Sequence, residues 1–311
     1  MLIKLSKQEI RALEVLSTTS PAVGELAKAL GVSPGMASRL AKSLEKKALI
    51  TVKDEAQSKI LDLSLAQHAQ AFKRFYETRP NAKIEQWLAG PAIELLILMV
   101  NDILIPLPIN DIPVPLPILE EESTFSRPTL FRKISQLKGA GGISSLPEGY
   151  KITDLNLRKL AAAYADTIMV LLIKKNSRVR PANDFAIRVR KHVVRRTGAE
   201  ETSPFFIPTG MQELAGHGLE VVQTNNRDYY FNLDEKPRKI SIEEAFIHAL
   251  LLSSIEYQGH PQDRPVLAIA LEKVPLDRVK LVRLAKRYLV DGELRQLMQT
   301  LEYHKKLRQY E

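Results

Sequence analysis

VGELAKALGVSPGMASRLAKSLEKKALITV, residues 23–52, decides the architecture of the N-terminal part of this chain. Two apolar stripes at helical spacing flank a short turn. The first holds Val23, Leu26, Ala27 and Leu30, and Gly31 then breaks it, as a glycine just past a helix end does. Ser33 is placed to cap a second helix, with Pro34 in its first turn, where a missing N–H is not needed. That helix sets Ala37, Leu40, Ala41 and Leu44 on one face, the i, i+3, i+4, i+7 spacing of a buried stripe. Ser38, Arg39, Lys42, Ser43 and Lys46 fall on the other. Leu49 to Val52 and Ile60 to Leu63 then read as short strands around a polar tip, Asp54 to Lys59. Lys7 to Leu16, with Ile10, Leu13 and Leu16 inward, supplies a helix ahead of the pair.

Helix, turn, helix and hairpin in this order make a winged helix. Residues 7–64 resemble the DNA-binding domain of winged helix-turn-helix transcription regulators of the MarR or ArsR type. The resemblance is carried by Ala27 and Gly31, Val32 and Ser33 in the turn, Arg39 in the second helix, and Lys46-Lys47-Ala48-Leu49-Ile50 leading into the wing. It implies a recognition helix in the major groove, read by Ser33, Met36, Ser38, Arg39, Lys42 and Lys46, with Lys53 and Lys59 of the wing on flanking phosphates. The residues alone also allow a winged helix used for protein contacts, or a plain αα-hairpin.

Length and composition set the outer bounds. The 311 residues suggest two or three domains, and a 45% hydrophobic content is enough for ordinary cores. A formal charge of +9 favours an anionic partner such as nucleic acid or a membrane surface, without choosing between them. With no cysteine, disulfides and thiolate metal sites are excluded. Met1 to Ser6 is too short and too soon charged for a signal peptide, and the apolar run Ala92 to Val100 falls far short of the roughly 20 residues a bilayer span needs. A cytoplasmic protein with no membrane partner is expected.

After the wing, Leu65 to Thr78 reads as a helix, and Arg79-Pro80-Asn81 marks a boundary. The next segment repeats the theme in altered form. Pro91 to Val100 is an apolar helix. Ser126 to Lys138 looks like a second recognition helix, with Leu130, Ile134 and Leu137 inward and Arg127, Thr129, Arg132, Lys133 and Gln136 outward. Ile143 to Thr153 could form a wing, and Leu155 to Ile173 a long buried helix. Where the middle helix belongs, Ile105 to Pro117 holds five prolines, which forbid a regular helix across it. This segment reads as extended chain against a core or partner, with a PxxP-type ligand as the lesser reading. A degenerate second winged helix and a dimerisation region both fit residues 88–153.

The strongest charge feature is 174–196, nine positive residues against Asp184 alone. Ile187, Val189 and Val193 or Val194 partly alternate with Arg188 and Arg190, which suggests a strand with one basic face. Arg188, Arg190, Lys191, Arg195 and Arg196 are expected to grip phosphates, against the alternative that acids elsewhere in the chain neutralise them. Phe205 to Ile207 and Tyr229 to Leu233 are further strands, and Thr209 to Leu219 a helix. Ser241-Ile-Glu-Glu244 is a capping box opening an apolar helix, and Leu276 to Tyr288 and Gly292 to Arg308 are amphipathic helices. Ile240 to Leu251, with Leu276-Asp277 and Leu281 to Tyr288, resembles the C-terminal part of abortive-infection type IV antitoxin regulators through its pattern of apolar positions. This likeness implies a protein partner for the C-terminal domain.

Catalytic motifs are missing from the sequence. The six histidines show no metal-ligand spacing with carboxylates, there is no Walker loop and no Gly-x-Ser-x-Gly, and Asp234-Glu235 lacks the separated second carboxylate of a nucleotidyltransferase. No metal, cofactor or catalytic residue is expected. His248 reads as a core histidine and Trp87 as a core or interface anchor. The chain is expected to be α+β and mainly helical, in three parts: a winged helix-turn-helix at 1–80, a degenerate second winged helix or dimerisation domain at 81–173, and a basic α+β domain with a helical end at 174–311. The expected function is a dimeric, sequence-specific regulator binding double-stranded DNA. An antitoxin-like interaction module and a non-regulatory DNA-maintenance protein are the alternatives.

Overall fold

Local signals start and stop the N-terminal helices. Ser6 Oγ accepts the Glu9 N–H at 3.1 Å, and Glu9 Oε2 accepts the Ser6 N–H at 2.6 Å. This reciprocal cap satisfies two otherwise unpaired donors and fixes the start of α1 (Lys7–Leu16). α2 (Val23–Leu30) stops at Gly31, whose φ of 64° is left-handed backbone that suits glycine. α3 (Pro34–Lys46) starts on Ser33, whose Oγ accepts the Met36 N–H. β1 (Ile50–Glu55) and β2 (Ser58–Leu63) pair antiparallel, Ile50 opposite Leu63, and Ala22 bridges to Ile60 just before α2. α4 (Gln67–Glu77) and α5 (Ile84–Leu88) follow.

In the computed structural model, which describes residues 4–55, 58–79, 82–100, 112–178, 184–219, 226–236, 238–254 and 263–307, the chain is α+β and mainly helical. Its small sheets are all antiparallel. The described residues fall into two compact units, one ending at Ile173 and the other starting at Lys174.

Within the first unit the element order of residues 7–63 recurs. α6 (Pro91–Met99) is followed by a bridge between Val114 and Tyr150, then α7 (Leu116–Glu122), α8 (Arg127–Gly139) and the hairpin β3 (Ile143–Leu146) and β4 (Gly149–Ile152). Helix, bridge, helix, helix, hairpin therefore occurs twice. A Cβ on Gly149 would come within 2.3 Å of the Val114 carbonyl oxygen, so glycine is what lets that bridge close. The proline-rich stretch was expected to leave no room for a middle helix, and α7 corrects this. Pro115 stands at its N-cap and Pro117 in its first turn, where proline is tolerated. The prolines before residue 112 lie outside the described residues, as do Ala56 and Gln57 at the first hairpin's tip. α9 (Leu155–Asn176) completes the unit and buries Leu157, Leu160, Tyr164, Ile168 and Leu172. Residues on either side of the boundary expected near 80 are joined: Leu5 bridges to Ala89, the Gly90 N–H donates to the Leu5 carbonyl, and Phe75 packs on Trp87 with ring centroids 5.6 Å apart.

The second unit holds a four-stranded antiparallel sheet in the order β5 (Phe185–Val189), β6 (His192–Thr197), β8 (Arg227–Asn232), β7 (Ile207–Thr209). α10 (Met211–Gly216) and α11 (Ile242–Ser253) pack on it, followed by α12 (Asp263–Lys273), α13 (Arg278–Arg287) and α14 (Asp291–Leu307). Ile187, Val189 and Val194 share one core with Phe246, Leu250, Leu267, Leu281 and Leu294. α12 was not anticipated.

Candidate nucleic-acid interface

The buried stripe of α3, Ala37, Leu40, Ala41 and Leu44, fixes which residues face out. Full burial of such a leucine contributes about 1.5–3 kcal/mol, enough to hold the helix's rotation. Ser33, Arg39, Lys42 and Lys46 are exposed, and Met36 and Ser38 half-buried. Arg39, Lys42 and Lys46 enter no ion pair among the described residues. Four of the six expected groove-facing residues are thus exposed and two half-buried, and three carry positive charge unpaired among the described residues.

The C-terminal end of α3 is anchored by a pair that the sequence analysis overlooked. Lys47 Nζ donates to Glu9 Oε1 at 2.6 Å and to the Lys4 carbonyl, with both side chains of the pair buried. Ser43 Oγ donates to the same Glu9 oxygen at 2.7 Å. Burial works against the Glu9 charge, but the bonds from Lys47, the Ser6 amide and Ser43 outweigh it and hold the carboxyl below its ordinary value. The Lys47 carbonyl meets His68 Nε2 at 3.0 Å, and His68 Nδ1 meets Thr167 Oγ1 at 3.1 Å. Burial lowers the His68 pKa. This chain of contacts ties α3 to α1, α4 and α9. Its signal in the sequence was the Ser6-x-x-Glu9 box.

The hairpin is less basic than its lysines suggest. Lys53 Nζ lies 2.6 Å from Asp62, whose pKa that hydrogen bond and one from Ser20 lower. Lys59 lies 3.8 Å from Asp54, both exposed. A phosphate would have to compete with these carboxylates.

α8 presents Arg127 and Arg132 outward, with Lys133 half-buried. Arg127 is held 2.6 Å from Glu120 and lies over the Phe131 ring. Lys133 donates to Gln136 Oε1 at 2.9 Å, and burial, with Arg132 and Lys7 nearby, lowers its pKa. Arg132 keeps its charge free of ion pairs among the described residues.

The solvent-facing basic strand expected at 188–196 needs correction. Residues 185–197 form a hairpin, β5 and β6, turning at Arg190 and Lys191, with Arg190 at a φ of 55°. Arg188, Arg190, Lys191, Arg195 and Arg196 are all buried. Arg195 binds Asp184 through Nε and Nη2, both at 2.7 Å, and Glu201 through Nη1 at 2.5 Å, and it lies over Phe206. Arg196 grips Asp228 with Nε at 2.7 Å and Nη2 at 3.0 Å. Lys191 lies 3.4 Å from Asp234, Arg190 donates to the Arg287 carbonyl, and Arg188 donates to the Arg190 carbonyl. A charge this deep must be paired or hydrogen-bonded; acids serve Lys191, Arg195 and Arg196, and backbone carbonyls serve Arg188 and Arg190. Arg180 lies outside the described residues.

The same unit buries a polar network that the sequence did not reveal. Glu244 accepts from Tyr288 Oη and from Arg238, whose Nε also reaches Tyr230 Oη at 2.7 Å. His192 Nδ1 meets that Tyr230 oxygen at 2.8 Å, and His248 Nδ1 meets Thr209 Oγ1 at 2.8 Å while its ring stacks on Tyr230. Burial drives the His248 pKa down to about 3 despite Glu244. Burial also opposes charge on Glu244, but Arg238 and the Tyr288 hydroxyl help keep its carboxyl below the ordinary value. The network closes the sheet against α11 and α13.

Among the described residues no group of His, Cys, Asp and Glu could hold a metal ion, and no helix is long and apolar enough to cross a membrane. No protein-family model matches the chain, and no curated protein matches it.

Proposed function

We propose that the chain is a sequence-specific DNA-binding transcriptional regulator. In this reading residues 7–64 form a winged helix-turn-helix and α3 enters the major groove. The observation that carries the reading is the outward face of α3: Arg39, Lys42 and Lys46 exposed without ion pairs among the described residues, beside Ser33 and Ser38, on a helix held by a buried apolar stripe. Arginine and lysine donors suit guanine O6 and N7, and serines serve either base type. The recurrence of helix, bridge, helix, helix and hairpin supports reading residues 91–152 as a second winged-helix-like element, with Arg127 and Arg132 outward. A homodimer would set two α3 helices about one turn of DNA apart.

Selection from a random pool of duplex DNA by the full chain tests this. The expected result is an enriched motif with two inverted half-sites about 10 base pairs apart, centre to centre. A pool that stays unenriched overturns sequence-specific reading.

A further inference from the structure

The buried pairing of the β5–β6 cations leaves the free positive charge of the second unit elsewhere, and α13 displays much of it. Its sequence, RVKLVRLAKR, holds five cations and no acid. Asp277 caps its start, accepting the Val279 and Lys280 N–H groups, and Arg190 donates to the Arg287 carbonyl at its end. Leu281, Leu284, Ala285 and Arg287 are buried, and Lys280 is spent on Glu243 at 2.6 Å. What remains outward is Arg278, Val279, Val282, Arg283 and Lys286. The three cations enter no ion pair among the described residues. Val279 is 82% exposed and Val282 43%. The stripe from Arg278 to Lys286 spans about 12 Å at 1.5 Å per residue, a length over which duplex DNA presents several phosphates.

We propose that α13 is a second DNA-contact surface, separate from α3, which lays Arg278, Arg283 and Lys286 on backbone phosphates with the two valines against the groove. The proposal rests on the reading of the chain as a DNA-binding protein, but not on α3 being the reader. Charge complementarity selects the partner. A membrane-binding helix would show aromatic or leucine side chains on its outer face, and this face has only two valines.

The test is a salt titration of the full chain on the selected duplex and on a scrambled one, for wild type, R278Q/R283Q/K286Q and R39A/K42A. Three lost phosphate contacts should flatten the slope of log K against log salt by about 2.7, equally on both duplexes, with sequence preference kept. R278K/R283K should retain the wild-type slope, and an unchanged melting temperature in the triple variant excludes a folding defect. An unchanged slope in the triple variant overturns the proposal, while a preference lost only in R39A/K42A still supports α3. Equal wild-type binding to both duplexes, with a slope that depends on α13, refutes α3 and supports α13. No DNA binding by wild type at low salt overturns both. Binding to phosphatidylserine vesicles that the triple variant loses, with its DNA slope unchanged, overturns the proposal in favour of a membrane.

Discussion

α3 and the β5–β6 hairpin are both basic in sequence and opposite in fate. α3 places Arg39, Lys42 and Lys46 in solvent with no ion pair among the described residues. The hairpin has the denser charge and buries all of it, each arginine or lysine paired or bonded to a carbonyl. A buried charge belongs to stability, and a free exposed one is available to a partner. Linear charge density therefore says little about where a phosphate can bind, and the decisive quantity is positive charge left over after internal pairing.

Substitutions can break this contrast, and the largest effects belong to the buried pairs. Arg196→Met leaves Asp228 buried and uncompensated, and should lower stability by about 3–5 kcal/mol, read as a shift in the urea midpoint. Adding Asp228→Leu should recover much of that loss. If Arg196→Met is neutral, the hairpin charges are not paired as described. Lys47→Met should cost a similar roughly 3–5 kcal/mol, because Glu9 loses its principal partner. Its test is the same denaturation, with Glu9→Gln as the companion variant.

On α3 the expectation reverses. Arg39→Ala with Lys42→Ala should leave stability within about 0.5 kcal/mol while removing about 1–3 kcal/mol of discrimination for each lost base contact. Competition between selected and scrambled duplexes measures it, and an unfolded variant would show that these side chains pack rather than face solvent.

A pH series separates a further contribution. His248 is neutral in the fold, with its pKa lowered to about 3, and it gains a proton near pH 6.5 once unfolded. Stability should therefore fall as pH drops below about 6.5, by up to 1.4 kcal/mol per pH unit for this proton. His68, also lowered, acts in the same sense. The depressed Glu9 and Glu244 act later, losing their contribution below the ordinary carboxylate range. Urea midpoints between pH 7.5 and 5.5 should show a shallower decline for His248→Gln, and equal slopes would remove His248 from this account. The smallest effect is expected at the hairpin. Lys53→Gln should weaken DNA binding only slightly, because Asp62 already holds that lysine.

What was legible in the sequence follows from the range of the forces involved. The cap at Ser33, the stop at Gly31 and the stripe Ala37, Leu40, Ala41, Leu44 act within a few residues of one another, so α3 and its outward face could be read directly. The short helix α7 was hidden because its flanking prolines read as breakers, although one of them sits in the first turn, where it does no harm. The fate of the basic hairpin was out of reach for another reason. Arg196 finds Asp228 and Lys191 finds Asp234 only when β8 pairs with β6, a register that no local pattern specifies. The Glu244, Tyr288, His248 and Tyr230 cluster depends in the same way on α11 and α13 meeting the sheet. The basic run of α13 stood in plain view, but it carried meaning only once the cations of the β5–β6 hairpin were found to be buried.

The central claim is that α3 reads DNA, and the most direct measurement is the ratio of affinities for the selected and scrambled duplexes at one salt concentration, wild type against R39A/K42A. The account predicts a clear wild-type preference that falls at least tenfold in the variant, about 1.4 kcal/mol, with the urea midpoint unchanged. A preference of the same size in both proteins would contradict it.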